Sequence, residues 1–285
     1  HLSLRRQRQM CIRDSSMRGL DLLRRYPLSV LFAAVGSLLL LFTVVVLFNM
    51  VFRQLVLRPE GLLEAVRDPT VIRSIGLTMY ASLMATLIAV SLGTPLAYLL
   101  ARHRFPGKSL AEALVDVPVV IPHSVAGIAL YALFMRHGAV GRAFSRLGIV
   151  FEDSLWGVVV AMLFVSAPFY INAAREGFRG VDPRLERVAR SLGAGQWTAF
   201  YRVTLPLSLR SLISGAVMSW ARGISEFGAI IFLAYYPMVA PTLIYYRFTI
   251  HGLTGSQPVA VLLILLCLAI FLALRLYTRP RRGRR

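Results

Sequence analysis

Two residues of opposite charge, Arg222 and Glu226, stand four positions apart in the otherwise apolar segment SWARGISEFGAIIFLAYY, residues 219–236. That spacing puts both on one face of a helix, where they can meet. In hydrocarbon an unpaired charge is costly, so each needs a partner or water. Two readings stay open: an ion pair that locks helix packing, or a charged pair that serves whatever passes along the span. Other chemistry lacks its residues. His1, His103, His123, His137 and His251 are scattered, with no paired His/Asp cluster and no G-x-S-x-G, so an enzyme has little to work with. His123 follows Pro122 with no second ligand at metal spacing, and reads as a packed or hydrogen-bonded histidine. Cys11 and Cys267 fall in the N-terminal tail and in the last apolar stretch, so no disulfide framework follows. No metal or cofactor is expected. The only lysine is Lys108 and no Walker A glycine loop occurs, so the chain is not itself an ATPase.

A second stretch, RLERVARSLGAGQWTAFYRVTLP at 184–206, is crowded with arginine among apolar surroundings. Asp182-Pro183 predicts a helix start, since the Asp side chain can accept from first-turn amides and the Pro lacks an N–H that would be orphaned there anyway. Leu185, Val188, Ala189 and Leu192 recur at helical spacing while Arg184, Arg187 and Arg190 face elsewhere. Gly193 falls where a left-handed helix terminator is wanted. Trp197, Phe200, Tyr201 and Thr204 form a second stripe before Pro206, so two short helices meet at a glycine turn. On physical grounds alone the pair could lie on anionic lipid, which arginine and tryptophan both favour.

The elements that position these residues are apolar helices. Hydrophobic residues make up 57% of the chain and charged ones 16%, with a mean hydropathy of +0.66, which is the composition of an integral membrane protein. Six stretches long enough to cross a membrane lie near 28–52, 74–100, 114–135, 155–174, 208–234 and 258–277. The fold class is therefore all-α with about six transmembrane helices, and an amphipathic helix lies between the fourth and fifth. Pro118 and Pro122 predict an interruption of the third span, and Pro168 one of the fourth.

Net charge +19 would suggest nucleic acid, but its placement decides otherwise. The N-terminus, 101–113, 175–210 and the C-terminal tail carry 23 of the 32 Lys+Arg; eight lie in the other loops, and one, Arg222, inside a span. Alternate loops rich in arginine orient a membrane protein, so both termini and the 182–206 loop are expected in the cytoplasm of a multi-pass cell-membrane protein. The first apolar stretch runs too long for a cleaved signal and reads as an anchor. The chain starts at His1, and QMCIRDS at 9–15 resembles a translated sequencing adapter. Residues 1–16 are accordingly read as a non-native tail, with 17–285 as one transmembrane domain.

The 182–206 loop is similar to the EAA loop of ABC importer permeases, whose pattern is EAA, three residues, Gly, nine residues, Ile-x-Leu-Pro. Ala189, Gly193, Val203, Leu205 and Pro206 keep that spacing, while Arg187 and Val188 replace the Glu and first Ala; Glu186 is adjacent. The resemblance implies a coupling helix docked on a separate ATPase, with Glu186, Arg187, Ala189, Gly193, Ala194, Leu205 and Pro206 at the coupling site. DVPVVIPHSVAGIAL (116–130), FVSAPFYINAAREGFRGVDPRLE (164–186) and SWARGISEFGAIIFLAYYPMVAPTLIYYRF (219–248) look like the molybdate/tungstate branch of these permeases. That branch implies a homodimer in membrane lipid enclosing an oxyanion pathway, two ATPase subunits and an extracytoplasmic oxyanion-binding protein. Arg222, Glu226, Pro122 and Ser124 are the pathway candidates, Arg222 offering positive potential to a dianion. A sulfate or thiosulfate permease is the runner-up, and a self-contained secondary transporter a more distant one.

Overall fold

A computed structural model describes residues 27–277, with side chains through 272; the 1–16 tail lies outside the described residues. The chain divides into two units, 1–60 and 61–285. In the first, α1 (Pro27–Phe52) continues as a π-helical turn, Arg53–Leu57, and makes one apolar span candidate of 31 residues. A short helix α2 (Pro59–Arg67) follows.

The second unit is built on α3 (Pro69–Arg102) and α7 (Leu155–Arg179). Asp68 caps α3 by accepting the Thr70 N–H at 2.7 Å, with Pro69 at the first helical position. Along α3 the side chains at Ser74, Thr78, Ser82 and Thr86, four residues apart, are all buried. Each hydroxyl returns its hydrogen to its own helix: Thr78 to the Ser74 carbonyl at 2.6 Å, Thr86 to the Ser82 carbonyl at 2.8 Å. A buried polar stripe thus needs no water, and its small side chains let other helices approach closely. The helix α10 (Leu205–Ile224) uses that approach, laying Gly223 against Ser82.

Packed against this frame are α4 (Lys108–Val120), α5 (His123–Phe134), the short α6 (Ala139–Ser145), α11 (Ile230–Leu233) and α12 (Ala240–Tyr277). One apolar core joins Ala81 and Ala85, Ala126 and Leu130, Val158 through Val165, and Ile230 and Leu233. A second joins Leu100, Tyr170, Phe178 and Leu212, and a third joins Val71 and Ile75 to Leu243 and Val259. No strand occurs among the described residues.

The proline expectations divide. At 121–122 the span breaks: α4 and α5 meet at 111°, because Pro122 has no N–H to continue α4 and forces Ile121 into extended backbone. Pro168, by contrast, sits in a helix that runs unbroken from Leu155 to Arg179. It is buried there, and neighbouring helices hold the line where the ladder loses one bond.

The fifth stretch also departs from a single helix. α10 ends at Ile224, and only the four-residue α11 resumes, so Glu226 stands in a loop rather than inside a helix. The last helix starts at Ala240, well before 258, and turns at Gly252, whose φ of 63° and ψ of −153° are non-helical. By length and hydropathy four helices among the described residues can cross a membrane, or five if α4 and α5 count as one span. The serines and the two arginines, Arg210 and Arg222, dilute α10.

Candidate functional site: a helical loop and a charged break

The arginine-rich loop forms α8 (Pro183–Ser191), α9 (Gln196–Ala199) and a π-helical turn, Phe200–Thr204, leading into α10. Asp182 accepts the Arg184 N–H at 2.9 Å and starts α8 as its sequence requires. Its end is fixed by two reversed hydrogen bonds, Gly193 N–H to the Arg190 carbonyl and Ala194 N–H to the Ala189 carbonyl, each 3.0 Å. This is a Schellman termination, and it needs the left-handed backbone that Gly193 adopts at φ +91°. Ala189, Gly193 and Ala194 thus act together as the stop of one rigid helix. Leu205 and Pro206 open α10, with Pro206 in the first turn, where its missing N–H costs nothing.

The fastening of α8 was not legible in the sequence. Glu186 Oε1 lies 2.9 Å from Arg102 Nη2 at the end of α3 and accepts the Thr204 hydroxyl at 2.5 Å, while Oε2 accepts from Tyr98 at 3.2 Å. One carboxylate therefore ties α8 to α3 and to the turn that leads into α10. Arg187, at the position of the family's glutamate, is exposed. The apolar stripe faces away from the chain: Leu185, Val188 and Leu192 are exposed, Leu192 to 83%, and so are Trp197 and Tyr201, whose rings stack at 6.1 Å.

The second candidate region forms where the α4–α5 break meets the α10–α11 break. Arg222 Nη2 donates to Glu226 Oε2 at 2.8 Å and lies 2.8 Å from His123 Nε2, which must then accept. His123 Nδ1 is 3.6 Å from the same Glu226 oxygen. Glu226 Oε1 accepts the Ala229 N–H at 2.7 Å, and the carboxylate is 1% exposed. Gly228 allows the approach, since a Cβ there would stand 2.6 Å from His123 Cβ. The expected i, i+4 contact is present, but across a helix end, and it includes His123 from 99 residues away, which no local pattern could reveal. Ser124 and Pro122 are exposed beside it.

Along α4, Asp116 accepts from Asn172 of α7 at 2.7 Å, beside a recess of about 430 Å³ that Val119, Pro168 and Met218 also line. Arg179 bridges Glu112 and Glu176, each at 2.9 Å. Sequence reasoning passed over Asp116 and Asn172, although a polar residue within an apolar run was the available signal. Among the described residues no three His, Cys, Asp or Glu side chains gather as metal ligands.

Comparison with known proteins places this geometry in a class. The family described as binding-protein-dependent transport system inner membrane component matches residues 93–283. The chain is 47% identical over 245 residues to the molybdate/tungstate transport system permease protein WtpB of Thermococcus kodakarensis, covering 86% of this chain and 94% of that protein. It is 44% identical to the protein of the same name from Pyrococcus furiosus, covering 88% and 96%. Its fold is similar to that of a bacterial ABC transporter involved in import of the acidic polysaccharide alginate, with a TM-score of 0.69 at 19% identity over 94% of this chain and 100% of that one. The chain belongs to the binding-protein-dependent inner membrane transport component family, the permeases of ABC transporters.

Proposed function

We propose that this chain is the membrane-spanning permease subunit of an ATP-driven importer of molybdate and tungstate. Relatives bearing that name at 44–47% identity, over nearly their whole length, support the substrate class. In this reading two copies enclose the pathway within membrane lipid, and two cytoplasmic ATPase subunits lie beneath. A separate extracytoplasmic protein delivers the oxyanion. The α4–α5 pair and the α10–α11 pair each count as one broken span, giving six with both termini in the cytoplasm. Catalysis belongs to the ATPase and not to this chain. Pro122, Ser124 and Arg222 face the pathway, with Glu226 buried behind Arg222.

The observation that carries the mechanism is α8. Its outward apolar stripe is rimmed by Arg184, Arg187 and Arg190, while its inward carboxylate is bonded to the ends of α3 and of the turn before α10. A rigid helix with a defined stop, held by one such anchor, transmits displacement from a docked partner instead of absorbing it. Glu186 here does the fastening, Arg187 stands at the docking face, and Ala189, Gly193 and Ala194 keep the helix end rigid. Leu205 and Pro206 pass motion into α10.

The test is uptake by proteoliposomes holding the chain with its ATPase subunits and delivery protein. Molybdate accumulation that needs ATP and the delivery protein is expected. Accumulation driven by an ion gradient without ATP would make the chain a secondary transporter and end this reading. Sulfate uptake that molybdate fails to inhibit would reassign the anion.

A further inference from the structure

The cluster of His123, Arg222, Ser225 and Glu226 differs from a packing lock in three ways. A lock would bury its arginine and use its donors. Here the Arg222 side chain is 19% exposed and that of His123 40% exposed. Nη2 is committed to Glu226 and His123 and Nη1 donates to Ser225 Oγ at 3.1 Å, so two of the five guanidinium hydrogens have no partner among the described residues. Beside them α5 begins at His123 behind Pro122, and no side chain caps its first amides. The spare guanidinium hydrogens and the open backbone amides are donors, which is what a tetrahedral oxyanion requires, while His123 accepts from the guanidinium and the Ser225 hydroxyl donates to the Arg222 carbonyl at 3.1 Å, so both hold Arg222 in position.

The carboxylate gives this cluster its further property. Glu226 is held on both oxygens, by Arg222 on one and by the Ala229 N–H on the other, and is buried, so an arriving anion cannot readily displace it. It remains beside the guanidinium and offsets part of its positive potential. A transport site has to bind well enough to be entered and weakly enough to be left. We propose that the Arg222 guanidinium and the first amides of α5 form a transient holding site for a tetrahedral dianion within the permease itself, with His123 and Ser225 positioning the guanidinium, and that Glu226 is the release residue that keeps this site weak. The inference rests on the reading of the chain as an oxyanion permease.

The experiment is equilibrium binding of radiolabelled tungstate to the full chain with its ATPase subunits in lipid nanodiscs, without nucleotide, beside uptake in proteoliposomes. Glu226→Gln retains an amide oxygen for the Ala229 N–H while removing the charge beside Arg222. It should bind tungstate at least about tenfold more tightly, since one unit of like charge near a dianion is removed from a low-dielectric site, and uptake should slow. His123→Ala leaves the Arg222–Glu226 pair in place but removes the acceptor that holds Arg222 Nη2, and should weaken binding about fivefold or more, as loss of a hydrogen bond to a charged group does. Unchanged or weaker binding by Glu226→Gln, or unchanged binding by His123→Ala, overturns the proposal. If Glu226→Gln does not accumulate, His123→Ala decides by the same criterion. Wild-type importer that transports tungstate while neither it nor any variant binds the anion refutes the holding site and leaves the permease reading standing. Wild-type importer that moves no tungstate with ATP and delivery protein present refutes both.

Discussion

Glu186 of α8 and Arg102 at the end of α3 approach to 2.9 Å, and the glutamate's remaining contacts reach Thr204 and Tyr98. The ion pair is largely buried, with side-chain exposures of 17% and 9%, and it joins segments 84 residues apart in sequence. Among the described residues it is the one charged fastening between the arginine-rich loop and the long helix α3.

Glu186→Gln should therefore loosen α8 without preventing insertion. Loss of hydrogen bonds to charged partners costs about 1.5–3 kcal/mol, enough to shift the position of a short helix but not to unfold three apolar cores. The expected outcome is normal abundance in the membrane with delivery-protein stimulation of ATP hydrolysis sharply reduced. Stimulation at the wild-type level would show that α8 needs no such anchor.

Gly193 separates backbone strain from crowding, because a Cβ at that position meets no atom within 4 Å. Valine there pays only for a left-handed backbone, about 1–3 kcal/mol, whereas asparagine tolerates that region. Gly193→Val should uncouple ATP hydrolysis from uptake and reduce co-purification of the ATPase, and Gly193→Asn should stay close to wild type. Equal behaviour of the two variants would exclude the terminating turn as the cause.

Removing one member of the Arg222–Glu226 pair and removing both have opposite consequences for stability. Arg222→Met alone strands the buried Glu226 carboxylate and should lower thermal stability, by about 3–5 kcal/mol on the scale of broken buried pairs. Arg222→Met/Glu226→Leu should recover assembly, since an apolar pair carries no desolvation penalty, yet should remain inactive in uptake. Uptake restored in the double variant would make the pair a packing lock and nothing more.

Asp68 and Arg247 pair across α3 and α12, and burial of the carboxyl acts to raise its pKa, but the Arg247 and Thr70 hydrogen bonds outweigh it and hold the pKa below the ordinary 3.8. A depressed carboxyl pKa contributes stability that is present above the unfolded value and lost as pH falls through the folded one. Between pH 7 and pH 5 this contribution should stay constant, and it should fade only below the ordinary value. Thermal melts of wild type and Arg247→Met across that range check it: the difference between them should not change until pH drops below about 4.

The family pattern in the 182–206 loop was legible because capping, helical spacing and glycine termination are all local. Residues within a dozen positions decide them, and Asp182, Ala189 and Gly193 occupy the places that spacing assigns. The apolar stripe was legible too, but not its direction: Leu185, Val188 and Leu192 turn outward because Glu186 turns inward, and a contact with Arg102 has no local signature. Pro122 and Pro168 show the same limit. Both remove one backbone donor, yet only Pro122 breaks its span, because packing around Pro168 keeps α7 continuous and nothing in the dipeptide tells the two apart.

By itself, then, the sequence determined the membrane class, the amphipathic loop with its helix stop, and the proximity of Arg222 to Glu226, since hydropathy, capping and i, i+4 spacing act along the chain. Tertiary structure decided that α10 ends before Glu226, that His123 joins the pair, and that α8 hangs from α3 by one carboxylate. Each of those depends on two segments meeting in space, where the free energy of burying and pairing a charge outweighs the local preference of either segment.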